Sequence, residues 1–400
     1  MTKFLTLRDL STGGKRVLVR EDYNVPLEHG KIIDDTRITA SLVTLQALRE
    51  QHARTIICSH LGRPEGKRDA RYTLAPIAQR VSEVLGTRVG FADDCVGVGV
   101  AAAVRRLRDG DVLLLENVRF HAGEEKNDPA FAKALAANAE LYVNDAFGTA
   151  HRAHASTEGV AHLLPAAAGM LMEKELRVLQ NLVESPEHPY VCVIGGAKVA
   201  DKIDVFTNLM QHVDAFCVGG GMANTFLAAK GVDIGKSLRD KDLEPAKKIL
   251  ALAEQRGAAL HLPTDAVVAT SLEADRSAEV LLVEPLEGRM ILDVGKATAG
   301  VYAEIIRKAR TVIFNGPMGV YEKPDYREGT RTVGLAMVEA TKAGASTVVG
   351  GGDAAAAASL LEFADGVSHV STGGGATLEF LEGKTLPGVA ALEAAAAKSG

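Results

Sequence analysis

Short runs of branched apolar residues alternate with longer helical stretches along the whole of this chain. Strands are expected at residues 16–20, 54–58, 111–115, 140–143, 190–194, 215–218, 311–314, 346–349 and 367–370. Helices are expected between them, for example at 36–51, 130–138 and 298–310. Runs with few internal charges suit strands covered on both faces by helices, the environment of a parallel sheet. The pattern therefore predicts an α/β chain of the doubly wound type. A chain of 400 residues is long enough for two such cores. The amphipathic stretch 169–184, GMLMEKELRVLQNLVE, is ended by Ser185-Pro186 and divides the chain into halves of similar size. It reads as an interdomain helix joining two parallel-sheet, Rossmann-like domains, 1–168 and 185–385. The alanine-rich stretch 390–398 reads as a further helix.

Bulk properties exclude some functions. A formal net charge of −6 argues against a dedicated nucleic-acid or membrane-surface binder. No apolar run approaches the roughly 20 residues of a membrane span, and the start, MTKFLTLRDL, has neither the apolar segment nor the cleavage site of a signal peptide. Cys58, Cys95, Cys192 and Cys217 lie far apart and form no CxxC pair. They read as reduced thiols, and the protein as cytoplasmic.

Ligands of open parallel sheets bind beyond the carboxyl ends of the strands, so the residues that follow each strand carry the functional signal. In the first half these are Glu21-Asp22-Tyr23-Asn24, Ser59-His60-Leu61-Gly62-Arg63-Pro64, Glu116-Asn117-Val118-Arg119, and Asn144-Asp145-Ala146 running on to His151-Arg152-Ala153-His154. Arg37 follows Asp34-Asp35 at the start of a helix. A guanidinium pairs two-by-two with carboxylate or phosphate oxygens. Arg37, Arg63, Arg119 and Arg152 in one pocket would suit a small polyanion. Each taken singly reads equally well as a surface arginine; all four at strand ends do not.

The second half ends its strands in glycine: Gly195-Gly196-Ala197-Lys198, Gly219-Gly220-Gly221, Asn315-Gly316-Pro317-Met318-Gly319, Gly350-Gly351-Gly352-Asp353-Ala354 and Thr372-Gly373-Gly374-Gly375. Glycine lets the backbone approach a ligand closely, and N–H groups at a helix start bind phosphate. Lys198 and Lys202, four residues apart, are expected to share one helix face. Asp353 is placed either to cap a helix or to hold Mg²⁺, which takes few carboxylates together with phosphate oxygens.

Two motifs are set aside. Gly97-Val98-Gly99-Val100-Ala101-Ala102 imitates a dinucleotide fingerprint, but Asp93-Asp94 put negative charge where a pyrophosphate would dock. The stretch 231–237, GVDIGKS, is one residue short of a Walker loop and follows no apolar strand. A histidine pair for a metal, His151 and His154, is disfavoured by Arg152 between them.

Taken together, the strand-end segments resemble the phosphoglycerate kinase family nearly end to end. The resemblance rests on Arg20-Glu21-Asp22-Tyr23-Asn24-Val25-Pro26 and on stretches 60–64, 144–157, 195–199, 315–320 and 371–376. It implies a 3-phosphoglycerate domain at 1–168, in which Asp22, Asn24, His60, Leu61, Gly62, Arg63, Arg119 and Arg152 bind substrate and Arg37 reaches the phosphoryl group in transit. It implies a domain at 185–385 for Mg-ADP or Mg-ATP. There Lys198 and Lys202 would face the phosphates, Asp353 the Mg²⁺, and Glu322 the ribose. Gly219, Gly295 and Met318 would line the nucleoside pocket, and Gly196, Ala197, Asn315, Gly316, Gly351, Gly352 and Ala354 would complete the nucleotide site. Catalysis would fall to Arg37 and Lys198, with N–H groups near Gly352 and Gly374, in direct in-line transfer after domain closure. The tail 386–400 would return to the first domain. The expected partners are 3-phosphoglycerate and ATP or ADP, with no nucleic acid or membrane, and the expected state is a monomer. Ala354 departs from the family, where Thr or Ser follows the aspartate, as do Glu21 and Lys296, and Phe314 stands where Trp is usual.

Overall fold

The structure, a computed structural model, describes residues 4–274 and 276–398. It is an α/β fold built on two parallel six-stranded sheets. The chain divides into two compact units, Met1–Arg177 with Thr385–Gly400, and Val178–Lys384. The division falls inside the Met170–Glu184 helix. Of the anticipated domain and tail boundaries, residues 1–3, 399 and 400 lie outside the described residues.

In the first unit the strands run in the order Val89–Phe91, Val112–Leu114, Arg54–Cys58, Arg16–Arg20, Leu141–Asn144, Ala166–Ala168. The sheet is wound outward both ways, and the direction of winding reverses at the Arg16–Arg20 and Leu141–Asn144 pair. Arg20 lies opposite both Cys58 and Asn144, so three central strands end level and their loops emerge at one edge. The apolar residues between the ends form the core: Val17 and Val19 pack with Leu48 and Val143, while Ile57 packs with Ile38, Ile77 and Val81. The helix Pro387–Ala397 belongs to this unit; Gly388 donates its N–H to Ala150 O at 2.8 Å, and Leu392 is fully buried.

In the second unit the order is Ala259–His261, Ala215–Val218, Tyr190–Ile194, Thr311–Asn315, Ser346–Val349, His369–Val370, with the reversal between Tyr190–Ile194 and Thr311–Asn315. These two strands are buried along their whole length, as strands inside a parallel sheet must be. Phe314 meets Phe363 edge-on, ring centroids 5.8 Å apart, at the centre of a core that includes Val193, Val312, Ile306, Val333 and Met337.

Several element ends differ from expectation. The strand expected at 111–115 is Val112–Leu114, and the last strand is only His369–Val370. One helix begins earlier, at Pro129, because Asp128 accepts hydrogen bonds from the N–H groups of Ala130 and Phe131. The helix Lys296–Arg307 likewise starts directly after Gly295. The alternation gave no sign of a three-stranded antiparallel sheet, Ala278–Leu281, Asp265–Ala269, Met290–Val294, which adds an antiparallel layer to the second unit. Its outer strand is largely exposed, so its run lacks the apolar density that marks the others.

Candidate functional site

In the first unit, the level strand ends place the predicted residues together. Arg37, second residue of the helix Thr36–Glu50, donates Nη1 to Asp22 Oδ2 at 2.6 Å. Asn24 Oδ1 accepts the Gly62 N–H at 2.9 Å, and Gly62 O accepts Arg119 Nη1 at 2.7 Å. Gly62 has φ +62, and a Cβ there would lie 2.3 Å from the Tyr72 ring, so only glycine fits this link. Leu61 turns into the core, Arg63 stands exposed beside Gly62, and Arg152 donates Nε to His151 Nε2 at 3.2 Å.

Arg119 is the most informative of these side chains. It is 3% exposed, yet its Nε and Nη2 have no hydrogen-bond partner among the described residues. Glu125 stands 3.4 Å from Nε, and burial pulls the guanidinium down to about 10 against that attraction. A buried donor pair left unsatisfied is costly unless a ligand completes it. The field around it is positive. Burial, then Arg20, Arg119, Arg37 and Arg152, hold His60 well below its ordinary value, and burial with Arg119, Arg20 and Arg152 takes His154 down to about 3. His60 is therefore neutral at pH 7. Arg20 can only donate, so His60 Nδ1, 3.2 Å from Arg20 Nη2, accepts, and Nε2 carries the proton. A cationic field with spare donors fits a small polyanion.

Sequence reasoning missed the support beneath this site. Arg20 is fully buried and donates Nε to Ser156 Oγ at 2.8 Å; Ser156 Oγ donates in turn to buried Glu124 Oε1 at 2.6 Å. Burial pushes Glu124 above its ordinary value, with Arg20 opposing. Burial also raises Glu21 well above the carboxylate range and Asp145 up to about 6. Asp145 Oδ1 accepts the Met172 N–H at 2.9 Å, linking a site strand to the following helix. Arg20 entered the sequence reading only as the first residue of the Arg20–Pro26 motif, with no role assigned to it.

In the second unit, the Gly195–Ala197 and Asn315–Pro317 loops meet at the reversal of the sheet. A Cβ on Gly195 would lie 1.9 Å from Pro317 O. Asn315 donates Nδ2 to Gly350 O at 2.7 Å, which ties in the next loop. Beyond these loops lies a cavity of about 560 Å³, walled by Gly196, Ala197, Met318, Leu292, Val320 and other apolar groups, with Glu322 and Asp353 at its polar side. Asp353 is exposed at the second position of the helix Gly352–Leu360, and its carboxylate feels the charge of Lys202 but makes no hydrogen bond among the described residues. The structure therefore gives it no capping bond. An exposed carboxylate without a hydrogen bond, beside glycine loops, suits Mg²⁺, which keeps most of its shell for water and phosphate oxygens.

Other predicted residues sit differently. Lys198 and Lys202 do not share a helix face: Lys198 is exposed in the loop ahead of the Ala200–Lys202 turn, and the helix starts only at Ile203. Lys202 folds back, donating Nζ to the carbonyls of Gly195, at 2.8 Å, and of Asn315. Burial draws it down to about 8, with Asp353 among the groups that oppose. Two glycine loops place carbonyls where a four-residue spacing rule assumed a continuous helix. Gly219 packs under Met318, its missing Cβ 2.6 Å from the Met318 sulfur. Gly295 lines a neighbouring cavity of about 270 Å³ together with Asp293, a wall shared by both cavities. Burial pushes Asp293 up to about 7; it too was missed. Ala354 is buried in the core and does not reach the cavity. Gly351, Gly352 and Gly374 lie at helix starts, with Gly351 at φ +107 and Gly374 at φ +53.

Comparison with known proteins shows the family and the fold. Residues 7–384 match the family described as phosphoglycerate kinase. A phosphoglycerate kinase of Moorella thermoacetica is 53% identical over 390 residues, covering 97% of this chain and 98% of that one. That of Chloroflexus aurantiacus is 52% identical over 393 residues, with the same coverage. Among solved structures, phosphoglycerate kinase from Coxiella burnetii aligns with a TM-score of 0.90 at 42% identity over 97% of this chain and 98% of its own. The enzyme from Pyrococcus horikoshii aligns with a TM-score of 0.81 at 34% identity over 99% of this chain and 100% of its own.

Proposed function

The chain belongs to the phosphoglycerate kinase family, and from that premise we propose that it transfers a phosphoryl group reversibly from 1,3-bisphosphoglycerate to Mg-ADP, giving 3-phosphoglycerate and ATP. The observation that carries this reading is buried Arg119, whose Nε and Nη2 make no hydrogen bond among the described residues, in the field of Arg20 and Arg152. The acid substrate would complete those donors, with His60 Nε2–H and Arg63 adding further hydrogen bonds. The nucleotide would take the glycine-walled cavity of the second unit, its ribose toward Glu322. Asp353 would hold Mg²⁺, which supplies charge neutralisation to the phosphates. Phosphoryl transfer passes through a loose transition state, so the protein mainly aligns donor and acceptor and stabilises spread charge. In this direction the acceptor phosphate is already ionised and needs no general base. Arg37 and Lys198 would meet the moving group, with N–H groups at Gly352 and Gly374 adding donors. The protein would work as a cytoplasmic monomer. The anticipated division into a 3-phosphoglycerate domain (1–168), a nucleotide domain (185–385) and a returning tail is part of the same proposal.

A coupled assay of ATP formation from 1,3-bisphosphoglycerate and Mg-ADP tests the activity. Turnover that stops when divalent metal is removed is expected; absence of ATP, with NADH bound instead, would overturn the reading in favour of a dehydrogenase. Asp353→Ala is expected to weaken Mg-ADP binding on the order of tenfold, the size of one charge-assisted interaction. Calorimetry giving unchanged affinity would remove Asp353 from the metal site.

Reacting atoms must come within about 3–3.5 Å, and water must be excluded from an acyl phosphate. Each substrate has its residues on one unit, so we infer that the units close when both are bound, about hinges flanking 169–184 and near 385–388. Solution scattering should give a smaller radius of gyration with 3-phosphoglycerate plus Mg-nucleotide than with either alone. Equal radii in all states would rule closure out.

A further inference from the structure

The first unit carries a side-chain cluster that the phosphoryl-transfer site does not use. One carboxylate oxygen of Asp94, the Cys95 sulfur and a ring nitrogen of His121 all lie within 4.8 Å of one another. Two paired neighbouring strands bring them together. Asp94 and Cys95 follow the Val89–Phe91 strand, and His121 follows the short turn Val118–Phe120 after the Val112–Leu114 strand. The imidazole is held in place: it stacks on Phe131 with ring centroids 5.0 Å apart, and Nε2 lies 2.7 Å from Asp94 Oδ1. Asp94 Oδ1 also accepts the Cys95 N–H at 2.6 Å, which fixes the carboxylate next to the thiol. Cys95 is fully buried, whereas the His121 and Asp94 side chains are 32% and 44% exposed. The sulfur thus forms a floor, and the two other donors form a rim open to solvent.

We propose that Asp94, Cys95 and His121 form a three-ligand site for a borderline-soft divalent cation of the zinc type. Thiolate, imidazole and carboxylate together are the donor set such ions select, whereas Mg²⁺ and Ca²⁺ prefer oxygen alone. Zinc bonds of about 2.0–2.3 Å place tetrahedral ligands about 3.3–3.8 Å apart. The His121–Asp94 pair, now 2.7 Å apart, must part to reach that spacing, a movement open to two partly exposed side chains around a fixed buried sulfur. The fourth position would face solvent and hold water. Coordination forms a metal–sulfur bond, and the thiol proton leaves to solvent.

Titration of the full chain with Co²⁺ in place of Zn²⁺, without Mg²⁺ or substrate, tests this. One equivalent should bind with the ultraviolet thiolate-to-cobalt charge-transfer band. Zn²⁺ should displace it and excess Mg²⁺ should not. Cys95→Ser should abolish the band, and His121→Gln, on the exposed rim, should lower Co²⁺ affinity by at least about tenfold with an unchanged circular dichroism spectrum. A wild-type chain without the band overturns the proposal, as does a band that survives Cys95→Ser. If Cys95→Ser does not fold, His121→Gln decides, and unchanged affinity there overturns the site.

Discussion

Replacing Arg37 by alanine is expected to lower kcat by roughly 10²–10³ and to leave Mg-ADP binding as in the parent chain, because removing one preorganised donor from a transition state costs about 3–4 kcal/mol. The side chain is 35% exposed, and its bond to Asp22 is the 2.6 Å interaction at the edge of the site. Its removal therefore costs little stability, and the effect is read in the chemical step. Asp22 fixes the guanidinium through Nη1, leaving the rest of the fork for substrate. Arg37→Lys keeps the charge but not the fork, so an intermediate kcat is expected. Steady-state kinetics with saturating nucleotide distinguish the cases. A parent-like kcat in Arg37→Ala would remove this residue from the reaction. A raised KM for the acid substrate with kcat intact would make it a binding residue only.

The second large effect is on stability. Arg20→Met is expected to destabilise the first unit by about 3–5 kcal/mol, the cost of removing one partner from a buried charge network. Two partners would lose their donor, Ser156 Oγ, with Glu124 behind it, and His60 Nδ1, while the Glu21 carbonyl would keep only its bond from Ser59 Oγ. Glu124 is fully buried and burial already raises its proton affinity, so without Arg20 the carboxylate keeps only its bonds from Ser156 and the weaker attraction of Arg119 to hold its charge. For a unit of this size each kcal/mol moves the melting temperature by about 2–4 °C, so a fall of roughly 6–20 °C is expected. Arg20→Met with Glu124→Gln should recover part of the loss, since the second change removes the stranded charge. Calorimetry of the single and double variants checks both. A fall of less than about 2 °C in the single variant would show that the network holds no net stability. Arg20 also lowers the proton affinity of His60, so the variant should shift His60 upward, visible by NMR.

The strand-end segments were largely legible because their signal is local. An apolar run ends, a loop begins, and the polar residues past it must lie at the carboxyl edge; the segments that hold Asp22, Asn24, His60, Arg119 and Arg152 follow from that rule, while the substrate roles proposed for them rest on the family resemblance. The glycine runs at 195–196, 219–221 and 350–352 were legible for the same reason. The details that failed depend on what another segment does. Lys198 and Lys202 were assigned a common face by helical spacing, but the carbonyls of Gly195 and Asn315, the latter more than a hundred residues away, capture Lys202 instead.

From its own periodicity, then, the chain determined a doubly wound α/β fold and which loops follow the strands with arginine, histidine or glycine, since apolar alternation and turn residues act over a few neighbours. Tertiary structure alone decided the strand order and so where each sheet reverses. It decided that Arg20 and Glu124 are buried together, that Ala354 faces the core, that Asp293 stands between two cavities, and that Asp94, Cys95 and His121 converge. Each of these is set by packing between residues distant in the chain, where burial and desolvation depend on the whole packed assembly and not on any spacing along it.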